Sequence, residues 1–153
     1  MATIRFRCLC FTFLLMSNQV VAMEDPYTQF IGDWELVSYV VYPEEGGERV
    51  MDYVGYLSYD SHGNMAGLGM PRDLPQRLDD GEQSRSGFAY WGGVSVDAED
   101  GRVIHHVQGS PTQPQWVGGD NIRFYEFEGS LLKLSLKDEA GRVSGTLTWR
   151  RLP

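Results

Sequence analysis

A chain of 153 residues that is 42% apolar and 12% aromatic carries enough hydrophobic material for one packed domain, and it is too apolar to remain disordered. Twenty-one acidic side chains against 13 basic ones leave a net charge of −8. Such a surface repels phosphate backbones and anionic lipid heads, which argues against nucleic acid as a partner.

Residues 1–22 differ in character from the rest. Arg5 and Arg7 precede a short apolar run from Cys8 to Met16, polar Ser17, Asn18 and Gln19 follow, and Val20-Val21-Ala22 offers a small residue at a cleavage position. This is the layout of a secretory signal, so the expected location is secreted or periplasmic, with 23–153 as the domain. The apolar run is about half the roughly 20 residues of a membrane span, so no stable span is expected. The alternative is that Met23, which begins the acidic segment Met23-Glu24-Asp25-Pro26, is the true start and the protein is cytoplasmic. Both cysteines, Cys8 and Cys10, fall in the leader. Without it the domain has no disulfide, thiol nucleophile or cysteine-bound metal, and Lys+Arg falls from 13 to 11 against 21 acids, moving the net charge to −10.

From residue 30 onward, short alternating apolar runs are broken by turn residues, the pattern of an all-β domain. The first strand is expected over Trp34 to Tyr42, with Trp34, Leu36, Val40 and Tyr42 on one face. Glu44-Glu45-Gly46-Gly47 ends it. Tyr53 to Tyr59 turns at Ser61-His62-Gly63-Asn64 into Met65 to Met70. Pro71 to Phe88 is polar and reads as a loop, with one short helix near Glu82 to Ala89. Tyr90 to Val96 reaches Asp100-Gly101, a strong hairpin dipeptide, and Arg102 to Gln108 follows. Asn121 to Phe127 turns at Glu128-Gly129 into Leu131 to Leu136, and Val143 to Arg151 closes the chain. Eight strands joined mostly by hairpins give a single antiparallel up-and-down β-barrel, which removes exposed sheet edges.

Several segments also resemble a known family. Gly32-Asp33-Trp34 is similar to the G-x-W element that opens lipocalins. Gly55-Tyr56-Leu57-Ser58-Tyr59 with Asp60 to Met65, Val103-Ile104-His105-His106-Val107, Pro114-Gln115-Trp116-Val117-Gly118, Arg123-Phe124-Tyr125 and Leu147-Thr148-Trp149-Arg150-Arg151 resemble, in unbroken order over about 28 to 152, the bacterial and fungal lipocalin-like domain family. The resemblance implies a β-barrel that handles a small ligand, and no single activity. It also implies that Trp34 plugs the closed barrel end beneath an arginine of the last strand, Arg150 or Arg151, with Arg150 taken as the partner. That pair is structural.

Candidate chemistry is sparse. His105 and His106 are adjacent on a strand and point to opposite faces, so they cannot jointly hold a metal. His62 sits in a turn, and no zinc spacing is present. His105 shares a face with Val103 and Val107 and is expected inside; His106 shares one with Gln108 and is expected outside. An interior His105 is either a hydrogen-bonded core histidine or a polar handle in a cavity. Arg123 shares a face with Tyr125 and Phe127; turned inward, it needs an anion such as a ligand carboxylate, or else an internal partner. Tyr56, Tyr59, Tyr90, Trp91, Trp116 and Phe127 supply aromatic area suited to a planar or terpenoid-like molecule, or simply to a core. Nucleophile-elbow, phosphate-loop, dinucleotide and calcium-loop patterns are absent, so no cofactor is expected.

The reading is binding or carriage of a small hydrophobic or amphipathic ligand in the barrel, with Tyr59, Tyr90, His105, Trp116, Arg123 and Tyr125 as its contacts. Two alternatives stay open. One is a cavity enzyme of isomerase or cyclase type using His105 or a tyrosine as acid or base. The other is a filled barrel serving as a structural or interaction domain.

Overall fold

The computed structural model describes residues 24–76 and 86–153; the leader, and residues 82–85 of the expected short helix, lie outside it. Nine strands follow in order: β1 Gly32–Val41, β2 Arg49–Val50, β3 Tyr53–Tyr59, β4 Asn64–Pro71, β5 Phe88–Asp97, β6 Arg102–Gly109, β7 Asp120–Glu128, β8 Leu131–Lys137 and β9 Val143–Arg151. Every pairing is antiparallel, each strand from β3 to β9 lies beside its sequence neighbour, and β1 pairs with both β3 and β9. Eight strands therefore close a barrel. The two-residue β2 is an addition that pairs only with the far end of β1. Among the described residues, helical structure is limited to 3₁₀ turns at Pro26–Gln29, Leu74–Gln76 and Pro114–Trp116. Of the helix expected toward Ala89, the described end is strand instead: Phe88 and Ala89 pair with Gly69 and Leu68.

The strands form where alternation and turn chemistry agree. In β4 exposed and buried residues alternate without a break, and Asp60 sets the turn before it by accepting hydrogen bonds from the His62 and Asn64 backbones at 2.8 and 2.9 Å. Among the described residues three bulges interrupt the ladders, one of them between Leu136 and Lys137, where Ser144 of β9 is the extra residue. Leu36 pairs with Trp149 but Ser38 with Thr148, leaving Val37 as an extra residue. The bulge reverses the inward parity of β1. Tyr39, opposite the buried Leu147, therefore takes the interior position that unbroken alternation assigns to Val40 and Tyr42. The remaining bulge lies between Trp91 and Gly92, opposite Gln108. There a Cβ on Gly92 would lie 1.9 Å from the His106 carbonyl oxygen, so only glycine fits.

One end of the barrel is plugged by aromatic rings. The first 3₁₀ turn, capped by the Asp25 carboxylate on the Tyr27 backbone, delivers Phe30 into the interior. Its ring meets Tyr59, Tyr125 and Phe127 edge-on at 5.5, 5.0 and 5.0 Å, an arrangement favoured by the ring quadrupole. Trp34 packs against Phe127 and donates its indole N–H to the Phe30 carbonyl at 2.9 Å. The arginine over Trp34 is Arg151, 4.1 Å from the ring, and not Arg150. The reason is parity: Arg151 lies on the face of buried Trp149, whereas Arg150 turns outward and pairs with Glu35 at 3.2 Å. No helix among the described residues is long and apolar enough to cross a membrane.

Candidate functional site

Away from that plug the interior is not filled. A partly enclosed cavity of about 150 Å³ lies inside the barrel. Its aliphatic wall is Leu57, Leu134, Leu136 and Leu147, and its aromatic wall includes Tyr39, Phe88, Trp116 and Trp149. Tyr39 and Leu136 stand near the ends of their strands and Phe88 begins its own, all opposite the Trp34 end. Tyr90, His105 and Arg123 bring polar groups to the cavity beside the Tyr39 phenol and the indoles of Trp116 and Trp149.

His105 is 1% exposed and holds two phenols at once: its Nε2 pairs with the Tyr59 hydroxyl and its Nδ1 with the Tyr90 hydroxyl, both at 2.8 Å. Burial, reinforced by the positive Arg123 and by His106, pushes its pKa down to about 3, so the ring is neutral in the folded protein. A neutral imidazole donates from one nitrogen and accepts at the other, so one tyrosine receives and the other gives. Burial raises both phenols, far more for Tyr59; at Tyr90 the Arg123 charge and hydrogen bond oppose the rise. Both stay protonated at neutral pH. With each nitrogen occupied and the charged form disfavoured, the histidine ties three strands together as a neutral bridge between Tyr59, Tyr90 and the β6 wall.

Arg123 lies on the inward face of β7, opposite buried Val103, just past the point where β7 parts from β8 at Phe124. Its Nη1 donates to the Ile122 carbonyl at 2.8 Å. Among the described residues no carboxylate reaches it. Trp149 is 2% exposed and its Nε1 has no hydrogen-bond partner among the described residues.

Of the residues expected at a ligand, the structure brings Tyr90, His105, Trp116 and Arg123 to the cavity wall. It places Tyr59 and Tyr125 in the aromatic plug beside Phe30. Tyr56 and Trp91 are on the outer surface, 38% and 51% exposed, and Phe127 is in the plug. Sequence reasoning missed Tyr39, because of the bulge, and Trp149, although the spacing of Gly145, Leu147 and Trp149 places that indole inside. His106 is outside and forms a row across three strands, its Nε2 to Ser95 Oγ at 2.9 Å and its Nδ1 to Asp120 at 2.7 Å. The row lies on the outer wall, about half exposed at His106 and Asp120. No group of three or more metal-ligating side chains occurs among the described residues.

Comparison with known proteins gives one family. The sequence matches the lipocalin-like domain over residues 31–152, the whole closed barrel. Among solved structures, a lipocalin-like protein from Bacteroides uniformis is similar, with 15% sequence identity, coverage of 80% of this chain and 98% of that one, and a TM-score of 0.49. No curated protein matches the chain.

Proposed function

Since the chain belongs to the lipocalin-like domain family, we propose that it binds one small, largely apolar molecule inside its barrel. The observation that carries this reading is the hollow itself, a space of about 150 Å³ walled mainly by leucine and aromatic side chains. Interiors normally pack to crystal-like density, and an apolar void forfeits contacts that a guest can restore. An engineered apolar cavity of about that volume takes up benzene, which sets the size of guest as a single ring or a comparably compact body. Neutral His105 and the protonated phenols of Tyr39 and Tyr90 keep formal charge away from most of the wall.

The test is a titration of the isotope-labelled full chain with toluene and benzyl alcohol, followed by amide and methyl NMR. Saturable one-to-one binding is expected, with the largest shifts at Leu134, Leu147 and Tyr90. Leu136→Trp, which fills the hollow, should abolish it. Absence of saturation, or binding that Leu136→Trp leaves intact, removes the reading.

A further inference from the structure

We propose that the guest is an acid, a compact monocarboxylate whose carboxylate is held by the Arg123 guanidinium while its apolar body fills the leucine-lined hollow. The inference rests on the reading of that hollow as a ligand site and adds the chemistry of its occupant. The protein is strongly acidic, with 21 carboxylate side chains, yet among the described residues none forms an ion pair with Arg123. Elsewhere the acids are used: Arg72 meets Asp52, Arg102 meets Asp97, Arg142 meets Asp138 and Arg150 meets Glu35. The other inward arginine, Arg151, is occupied by the Trp34 ring and by the Ile31 and Gln29 carbonyls.

Arg123 gives one N–H to the Ile122 carbonyl and also hydrogen-bonds the Tyr90 hydroxyl, which still leaves donors of its five-N–H planar fork at the cavity it lines. A second donor belongs to a residue of the same wall. Trp149 lines the hollow, is 2% exposed, and has a buried Nε1–H without an acceptor among the described residues. A buried donor left unmade is costly, and the buried indole N–H and the remaining guanidinium donors ask for the same thing, an acceptor. A carboxylate offers two oxygens with about four lone-pair sites and matches a guanidinium fork in shape and charge. An amine has the wrong sign. A neutral alcohol or amide supplies an acceptor but no charge. The volume then limits the body to a single ring or a short branched chain, so the class is benzoate-like rather than a long-chain acid.

The experiment compares benzoate with benzamide, its neutral counterpart of nearly equal shape, and with toluene, by calorimetry on the full chain at pH 7. Benzoate should bind most tightly, and Arg123→Leu should weaken it by about tenfold or more, the scale of a hydrogen bond to a charged group. Toluene should still bind Arg123→Leu to within about twofold, showing that fold and hollow survive, since its contacts are apolar. Trp149→Phe should weaken benzoate by a smaller factor. If Arg123→Leu does not fold, Arg123→Gln carries the same comparison. Benzamide binding as tightly as benzoate, or Arg123→Leu weakening benzoate and toluene alike, overturns the carboxylate assignment and leaves the apolar site standing. Failure of all three compounds to bind overturns both.

Discussion

Arg151 faces Trp34 directly across the β1–β9 seam: their Cα positions are paired, and the guanidinium carbon lies 4.1 Å from the indole ring. Gly32 makes the contact possible, since its φ is +134° and a Cβ there would lie 2.6 Å from an Arg151 nitrogen. The guanidinium also collects two backbone carbonyls of the segment that plugs the barrel. Arg151→Ala should therefore lower stability by about 1–2 kcal/mol, through the lost cation–π contact and stem packing. Arg150→Ala, which removes only an exposed pair with Glu35, should change it by no more than about 0.5 kcal/mol. Urea unfolding of the two variants checks the order; equal losses would return the sealing role to both arginines.

Adjacent glycines in β5 should respond very unequally to the same methyl group. At Gly92 the added carbon meets the His106 carbonyl oxygen at 1.9 Å, backbone against backbone at a bulge, and neither side can yield locally. At Gly93 the nearest atom is 3.9 Å away and φ is ordinary. Gly92→Ala should destabilise by on the order of 3 kcal/mol, whereas Gly93→Ala should stay within about 0.5 kcal/mol of the parent. Thermal melts decide it.

These bulges also mark the limit of what the sequence discloses. Strands β3 to β9 are legible because alternation runs over most of each strand between turn residues, as at Asp60 to Asn64 and at Asp100-Gly101, and the register shifts at Gln108 and Ser144 fall near strand ends. That same alternation, Val103-His105-Val107, puts His105 inside and His106 out. It fails at Val37, where one unpaired residue exchanges the two faces of β1 and sends Tyr39 rather than Val40 to the hollow. Strand β2 escapes notice because Arg49 and Val50 are too short a run to alternate. Choosing between Arg150 and Arg151 needed only the parity of Trp149, and that signal was present. The hollow is different in kind. Its volume is the small remainder left when the side chains of eight strands pack together, and no local pattern encodes a remainder.

His105 should make stability depend on acid. Its folded pKa, about 3, lies below the ordinary value of 6.5, so the unfolded chain takes up a proton at a pH where the folded protein does not. The stabilisation is fully present above pH 6.5 and is lost as pH falls toward 3, with a slope approaching about 1.4 kcal/mol per pH unit between them. Carboxylates such as Asp97 and Asp138, held below their ordinary range by arginine and backbone partners, add a slope of the same sign at lower pH. Comparison with His105→Gln removes that background. The variant, with no proton to gain, should lose less stability than the parent between pH 6.5 and 5. It should also start lower at pH 7, because one amide cannot satisfy both the Tyr59 and Tyr90 hydroxyls as the ring does. Parallel stability curves for the two proteins would mean that His105 takes up its proton inside the barrel as readily as in the unfolded chain.

Intrinsic emission can say where an apolar guest sits. Trp149 is 2% exposed and lines the hollow with Trp116, Trp34 is sealed in the plug, and Trp91 is 51% exposed on the outer wall. That outer wall is a rival landing place, because Trp91 shares it with Leu68 at 46% and Tyr56 at 38% exposure, across the paired strands β3, β4 and β5. A guest inside the barrel contacts the Trp149 ring and changes its surroundings, while the Trp91 indole still meets water. Saturation with toluene should therefore alter the emission of Trp91→Phe as fully as that of the parent. Trp149→Phe should lose most of the change, and the residue of the signal should come from Trp116. Loss of the response in Trp91→Phe and its survival in Trp149→Phe would instead locate the bound molecule on the outside of β5.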